Sequence, residues 1–153
     1  MNTIREFPVL GEQTYYEDVE VGQAIPTLEV RPTYPQLFFY SAAQYNAHRI
    51  HYDVEWARQE GHLDVVVHGK LQASLMGRCL TDWAGSLGRL RGLNTRHHAS
   101  AYLGKDLQFT ATVSALCGDG IVELDFAEIC EGEKLMTGKA KVELPTRGGN
   151  VDG

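Results

Sequence analysis

Two stretches concentrate side chains able to move protons or to hold a developing negative charge. The first, Gln44–Asp53, reads QYNAHRIHYD and places Asn46, His48, Arg49 and His51 within six consecutive positions, directly after the apolar and aromatic run QLFFYSAA. Neutral imidazole is the side chain whose ordinary pKa best suits proton transfer near neutrality, so His51 is a candidate general acid or base. Asn46 and Asp53 are polar neighbours able to orient the ring or to bond a substrate carbonyl, and His48 and Arg49 add donors. Each also has a plainer use: Asp53 as a helix cap, Arg49 as the partner of a surface carboxylate, His48 as a solvent-facing ring.

The second stretch is VVVHGKLQAS, Val65–Ser74. A helix opening at Gly69 has first-turn N–H groups with no partner inside the helix, and its dipole presents a positive end there. Glycine lets a ligand approach that backbone, and such an end can polarise a thioester carbonyl and stabilise an enolate. It is equally an ordinary strand-to-helix turn. His68 stands immediately before it.

Other chemistries find little support. His48 with His51, or His97 with His98, lack the cysteines or carboxylates of a zinc spacing, so no metal is expected, nor any cofactor. There is no G-x-S-x-G elbow, no Walker loop and no dinucleotide G-x-G-x-x-G, and GSLGRLRG is too loose for a phosphate loop. Cys79, Cys117 and Cys130 are widely spaced, odd in number and without C-x-x-C, which reads as free thiols.

The elements that must position these residues follow from periodicity. Residues 1–13 read as an irregular arm, then an extended lead-in turns at Gly22 and carries Leu28 and Val30 at strand spacing. Thr33 caps a helix with Pro35 in its first turn, running through Leu37, Phe38 and Ala42 to end near Asn46. Asp53 caps a short helix closing at Gly61, which makes NAHRIH a connector between two helices. From Gly69 a long helix places Leu71, Leu75, Cys79, Leu80, Trp83 and Leu87 on one face. Strands follow: Leu107 to Ala115, Val122 to Phe126 and Met136 to Leu144 each alternate apolar with polar, with turns at Gly118-Asp119-Gly120 and Glu131-Gly132-Glu133. GLNTRHHASAYLG supplies one more strand, giving a consecutive antiparallel meander with one face free for the long helix, an α+β layout. The tail from residue 146 to 153 reads as disordered.

Composition sets the outer limits. A chain of 153 residues with 43% hydrophobic and 22% charged residues favours one globular domain. No segment approaches the roughly 20 apolar residues of a membrane span, and the N-terminus lacks the features of a secretory signal, so a cytoplasmic protein is expected. A net charge of −6 argues against a nucleic-acid partner.

The two chemical motifs in order, FFYSAAQYNAHRIHYDVEWA and VVVHGKLQASLMG, together with YLGKDLQFTATV, resemble the MaoC-like hydratase/dehydratase family of hotdog folds over residues 14–145. Within it they are similar to the acyl dehydratase branch that includes mesaconyl-C4-CoA hydratases. The resemblance implies a curved antiparallel sheet around a central helix, pairing into a homodimer or a higher oligomer of dimers. It also implies reversible hydration of a trans-2-enoyl thioester, carried by coenzyme A or a carrier protein, to a 3-hydroxyacyl thioester. The family's string GDxNPxH sets a catalytic Asp five positions before a catalytic His. An overlay without gaps puts Asn46 on that Asp and His51 on that His. An amide cannot accept and return a proton, so a one-base mechanism is implied, with His51 as acid/base, Asn46 orienting the water and the Gly69 N–H holding the thioester oxygen. His48, Arg49, His68 and Arg91 are then the expected substrate contacts, with Arg89, Arg91 or Arg96 meeting the phosphates of coenzyme A. A hotdog thioesterase is the alternative enzyme, although Asp82 lies too far along the central helix to serve it. A non-catalytic subunit that binds or stabilises is the third reading, kept open by Asn46.

Overall fold

A computed structural model describes residues 12–148. The described residues form five strands and three α-helices: β1 (Leu28–Val30), α1 (Tyr34–Ala43), α2 (Val54–Gln59), α3 (Gly69–Ala84), β2 (Arg89–His97), β3 (Leu107–Leu116), β4 (Ile121–Cys130) and β5 (Glu133–Glu143). The sheet is antiparallel and curls about α3, the hotdog fold of the α+β class.

The helix ends follow from local chemistry. The Thr33 hydroxyl accepts from the Gln36 N–H, and Pro35 occupies a first-turn position that needs no donor. α1 closes one turn before Asn46 because Tyr45 adopts a left-handed φ of 51°. Asp53 caps α2 by accepting from the Trp56 N–H at 3.0 Å. α3 stops at Ala84, where Gly85 takes φ 78°, so Leu87, expected on the helix face, lies beyond it and is 48% exposed.

β3, β4 and β5 form the expected hairpins. Gly118, Asp119 and Gly120 all have positive φ in the first turn, and Glu131 and Gly132 do in the second. Their inward residues, among them Leu107, Phe109, Val113, Val122, Leu124, Phe126, Met136 and Val142, are buried against Leu71, Leu75, Met76, Cys79 and Leu80 of α3. Each such side chain contributes about 1.5–3 kcal/mol by leaving water. A register shift between Val113 and Ala115 turns Ala115 partly outward.

The expectation of four strands in consecutive order is corrected by the sheet order β1-β3-β4-β5-β2. β2 pairs with β5 and forms one border, while β1 borders β3. Two features suit β2 to that border: Leu90 and Leu93 are only half-buried, and three arginines line it. The β2–β5 contact itself depends on Gly138, because a Cβ there would meet the Asn94 carbonyl oxygen at 1.9 Å and the Phe126 ring at 2.5 Å. β2 also begins at Arg89, so Arg89, Arg91 and Arg96 lie on a strand and not in a loop.

At the margins, residues 1–11 of the expected arm and 149–153 of the expected tail lie outside the described residues. Gln13 is pinned to the end of α3, its amide donating to the Ala84 carbonyl at 2.6 Å, and Arg147 pairs with Asp18 at 2.6 Å. Ordered contacts therefore extend slightly beyond residues 14–145 at both ends. Among the described residues no helix is long and apolar enough to cross a membrane.

Candidate active site

His51 ends a single 3₁₀ turn, Arg49–His51, in the connector between α1 and α2. The turn is stitched to the approach of α3 from both sides: the Val66 N–H donates to the Ile50 carbonyl at 2.9 Å, and His51 Nδ1–H donates to the Val66 carbonyl at 2.8 Å. Since a carbonyl only accepts, that second bond places the proton of the neutral ring on Nδ1 and leaves Nε2 with a free lone pair.

The same stitching brings His51 against His68, the residue immediately before the first turn of α3. The two rings stack with centroids 3.7 Å apart. They are 8% and 3% exposed. His68 Nε2 bonds the Ser41 hydroxyl at 2.8 Å, Tyr40 meets its ring edge-on at 5.0 Å, and its Nδ1 is buried without a partner among the described residues. Burial pushes the His51 pKa below the ordinary value, partly offset by the Val66 carbonyl, with His48 and His62 lowering it further. Burial, then the neighbouring His51, pushes His68 down to about 4. Both rings are therefore neutral at pH 7.

Gly69, next in the chain, is the first residue of α3, and no side chain caps its end. Its φ is not left-handed, so the backbone alone does not require glycine. The reason is room: a Cβ there would lie 3.3 Å from both Cε1 and Nε2 of His97 at the end of β2.

The remaining expected residues separate. The Asn46 side-chain oxygen Oδ1 accepts from the His48 N–H at 3.2 Å and shapes the connector. Asp53 does not orient His51: it caps α2 and accepts from Arg49 Nε at 3.1 Å. Arg49 also stacks on the Trp56 ring at 4.2 Å, and His48 lies 3.3 Å from Glu60, so both turn toward α2. Arg91 is paired with Glu143. β2 runs back along α3, which sets Arg91 about 20 Å of strand from His97 and Gly69. Within one chain, Arg91 and Arg89 are thus away from the imidazoles. Arg89 instead lines a cleft of about 1080 Å³ at the far end of α3 with Tyr16, Asp119 and Arg147. His97 and His98 also part: His97 covers Gly69, while His98 bonds Thr137 at 2.7 Å. Among the described residues no group of three or more potential ligands is placed to hold a metal ion.

Three buried polar residues, Gln72, Glu128 and Ser41, escaped the sequence reading. Gln72, on the first turns of α3, donates its amide to the Val67 carbonyl at 3.0 Å; among the described residues its Oε1 has no partner, and Glu128 on β4 is buried with neither oxygen bonded. The signal for Glu128 was present as a charged residue at the parity of Val122, Leu124 and Phe126. Ser41 offered no signal beyond being small on an apolar helix.

A curled sheet around one helix defines a hotdog chain, and comparison with known proteins places it more closely. Residues 12–102 match the model of hydroxyacyl-thioester dehydratase type 2, and the chain belongs to that family. A 51-residue segment is 49% identical to mesaconyl-C(4)-CoA hydratase of Chloroflexus aurantiacus, covering 33% of this chain and only 18% of that much longer protein. Among solved structures, the (R)-hydratase from A. caviae involved in PHA biosynthesis is 25% identical over 84% of this chain and 99% of its own, with a TM-score of 0.79. R-hydratase PhaJ1 from Pseudomonas aeruginosa is 21% identical over 87% of this chain and 86% of its own, with a TM-score of 0.81.

Proposed function

We propose that this chain hydrates a trans-2-enoyl thioester reversibly to a 3-hydroxyacyl thioester, with His51 as the single acid/base. His51 Nε2 takes a proton from water as the water oxygen bonds to C3. The C2=C3 electron pair moves toward the thioester carbonyl, whose oxygen gains charge against the Gly69 N–H. The proton then passes from Nε2 to C2, and the sum is H at C2 and OH at C3. Asn46, an amide with donors to spare, orients the water. His68 lines the substrate path beside His51.

The observation that carries this reading is the bond from His51 Nδ1–H to the Val66 carbonyl. It leaves a neutral Nε2 available in a ring stacked on the residue that precedes Gly69. Likeness to proteins named as hydratases supports the reaction type, and the segment shared with a CoA thioester hydratase supports coenzyme A as carrier. One feature favours a second reading, a thioester-binding subunit without turnover: Asn46 brings no carboxylate to the connector. Asp82, the carboxylate considered for a thioesterase, is paired with Arg78 on the exposed side of α3.

Mixing the protein with crotonyl-CoA separates the three. Loss of the enoyl absorbance without free thiol supports hydration, free thiol supports the thioesterase, and tight binding with neither supports the subunit. The working unit is proposed to be a homodimer. Sedimentation as a 17 kDa particle at micromolar concentration would count against that.

A further inference from the structure

His68 keeps both ring nitrogens out of water, and one of them is bonded. Nε2 meets the Ser41 hydroxyl at 2.8 Å, whereas Nδ1 has no partner among the described residues. The residue is 3% exposed, and native interiors rarely leave such an atom unpaired.

Ser41 decides which nitrogen carries the proton. Ser74, on α3, turns its hydroxyl back to the Lys70 carbonyl at 2.8 Å, a common resort of serine within a helix. The Ser41 hydroxyl makes no such bond among the described residues, and the His68 ring is its partner. Its hydrogen therefore goes to Nε2, which must accept, and the proton of the neutral ring sits on Nδ1. The stacked rings thus carry opposite capacities: His51 offers a lone pair at Nε2, and His68 offers an N–H at Nδ1.

The second observation is position. His68 directly precedes α3, a helix of 16 residues whose start no side chain caps, and the Gly69 N–H meets no backbone carbonyl among the described residues. Nδ1 of His68 and the amide nitrogen of Gly69 branch from the same Cα, so covalent geometry keeps the two donors within about 6 Å of each other. One oxygen gaining negative charge can answer both, and the helix dipole favours it there. In an enoyl thioester that oxygen and C3, the carbon that water must reach, lie at opposite ends of one short conjugated unit. A stack 3.7 Å deep lets a donor on one ring and a base on the other act on that unit together. A cationic His68 would suppress the basicity of His51 through the stack, whereas a neutral N–H polarises the carbonyl and leaves the base intact.

We propose that His68 Nδ1–H is a second donor to the thioester oxygen, beside the Gly69 N–H, and that Ser41 is the positioning residue that fixes its tautomer. The assignment rests on the hydratase reading for the reaction. His68 keeps its proton throughout; its hydrogen bond strengthens as the oxygen gains charge.

An isosteric pair of variants tests this. His68→Gln sets an amide where Nε2 stood and nothing where Nδ1 stood, and His68→Asn does the reverse. With crotonyl-CoA, His68→Gln should lower kcat/KM by about a hundredfold, the usual cost of one such donor, and His68→Asn should recover most of that loss. A ring needed only for its bond to Ser41 predicts the opposite order. Ser41→Ala, which frees the tautomer, should lower the rate several-fold, and nitrogen-15 imidazole shifts of the wild type should show His68 protonated at Nδ1. Binding of 4-(dimethylamino)cinnamoyl-CoA, whose absorbance moves to longer wavelength as its carbonyl is polarised, gives a readout free of turnover: the wild type should shift it, and His68→Gln should shift it less. Should His68→Asn fail to fold, the nitrogen shifts and the chromophore decide. A proton on Nε2, wild-type rates in His68→Gln, or an equal chromophore shift in the two proteins would overturn the assignment. Crotonyl-CoA left unhydrated by the wild type, with a chromophore shift that His68→Gln loses, would sink the hydratase reading and leave this donor standing.

Discussion

The imidazole of His68 lies almost flat against that of His51, the ring planes 20° from parallel. Two cations cannot occupy that stack, so a proton on either ring opposes one on the other, and burial opposes both. The pair is best described as one neutral unit at pH 7: Ser41 steadies one ring, the Val66 carbonyl the other, and a single lone pair is offered outward.

Replacing His51 by alanine should lower kcat/KM for enoyl-CoA hydration by about a hundredfold to ten-thousandfold, the usual cost of losing a general base. The far-ultraviolet spectrum should not change, because His51 supplies the fold one side-chain bond while the Val66 N–H to Ile50 bond persists. Hydration at the wild-type rate would remove His51 from the mechanism.

The acid limb of that activity should lie below the ordinary histidine value of 6.5. The base works only when neutral, and burial delays its protonation. Rate is therefore full above the lowered pKa and lost as pH falls through it. His48 adds to the depression, so His48→Gln should move the limb upward in a pH–rate profile.

Stability carries two opposed pH dependences. His68, depressed to about 4, is protonated in the unfolded chain before the folded one, so its contribution is full above 6.5 and lost as pH falls toward 4. Glu128, raised to about 7 from 4.5, acts inversely: the unfolded chain ionises first, and stability declines as pH rises from 4.5 to 7. Each is worth about 3 kcal/mol at most. Because His51, also lowered by burial, acts in the same sense as His68, urea midpoints of the wild type should climb only gently from pH 4.5 to 6.5. Glu128→Leu should expose a curve that climbs with pH, and His68→Gln one that descends. A steep slope in the wild type, unaffected by either change, would contradict the pairing.

Gly69→Ala should change thermal stability by less than about 1 kcal/mol, since better helix propensity offsets the tight 3.3 Å approach to His97. Hydration should fall tenfold or more if the N–H at this position holds the thioester oxygen. His97→Ala in the same chain should relieve the crowding without restoring rate; recovery of rate would transfer the role from the backbone to the space beside it.

Much of the architecture was legible because burial imposes a period. β3, β4 and β5 each bury one face, so alternation marks them, and Thr33, Asp53 and Gly69 announce their helices through local chemistry. β2 resisted because a border strand with Gly92 and three arginines has little alternation to show. Its partner could not be read at all: chain order favours β3, whereas the curl around α3 delivers β5. In the site, His51 stood out by type and place. Its stack with His68, and the Ser41 bond behind it, join residues far apart in the chain and leave no local mark. Glu128 was passed over because a charge in an apolar slot ends a pattern, although that interruption was itself the clue.

β2, nine residues long, leaves the amides and carbonyls of alternate residues unclaimed on its outer side among the described residues. Arg91 is neutralised by Glu143, whereas Arg89 and Arg96 enter no ion pair among the described residues. Two such borders approaching each other would carry like charge into the contact. Mobile anions that shield those guanidinium groups would therefore promote strand-to-strand association, and dilute buffer would oppose it, making ionic strength a control on how many chains travel together.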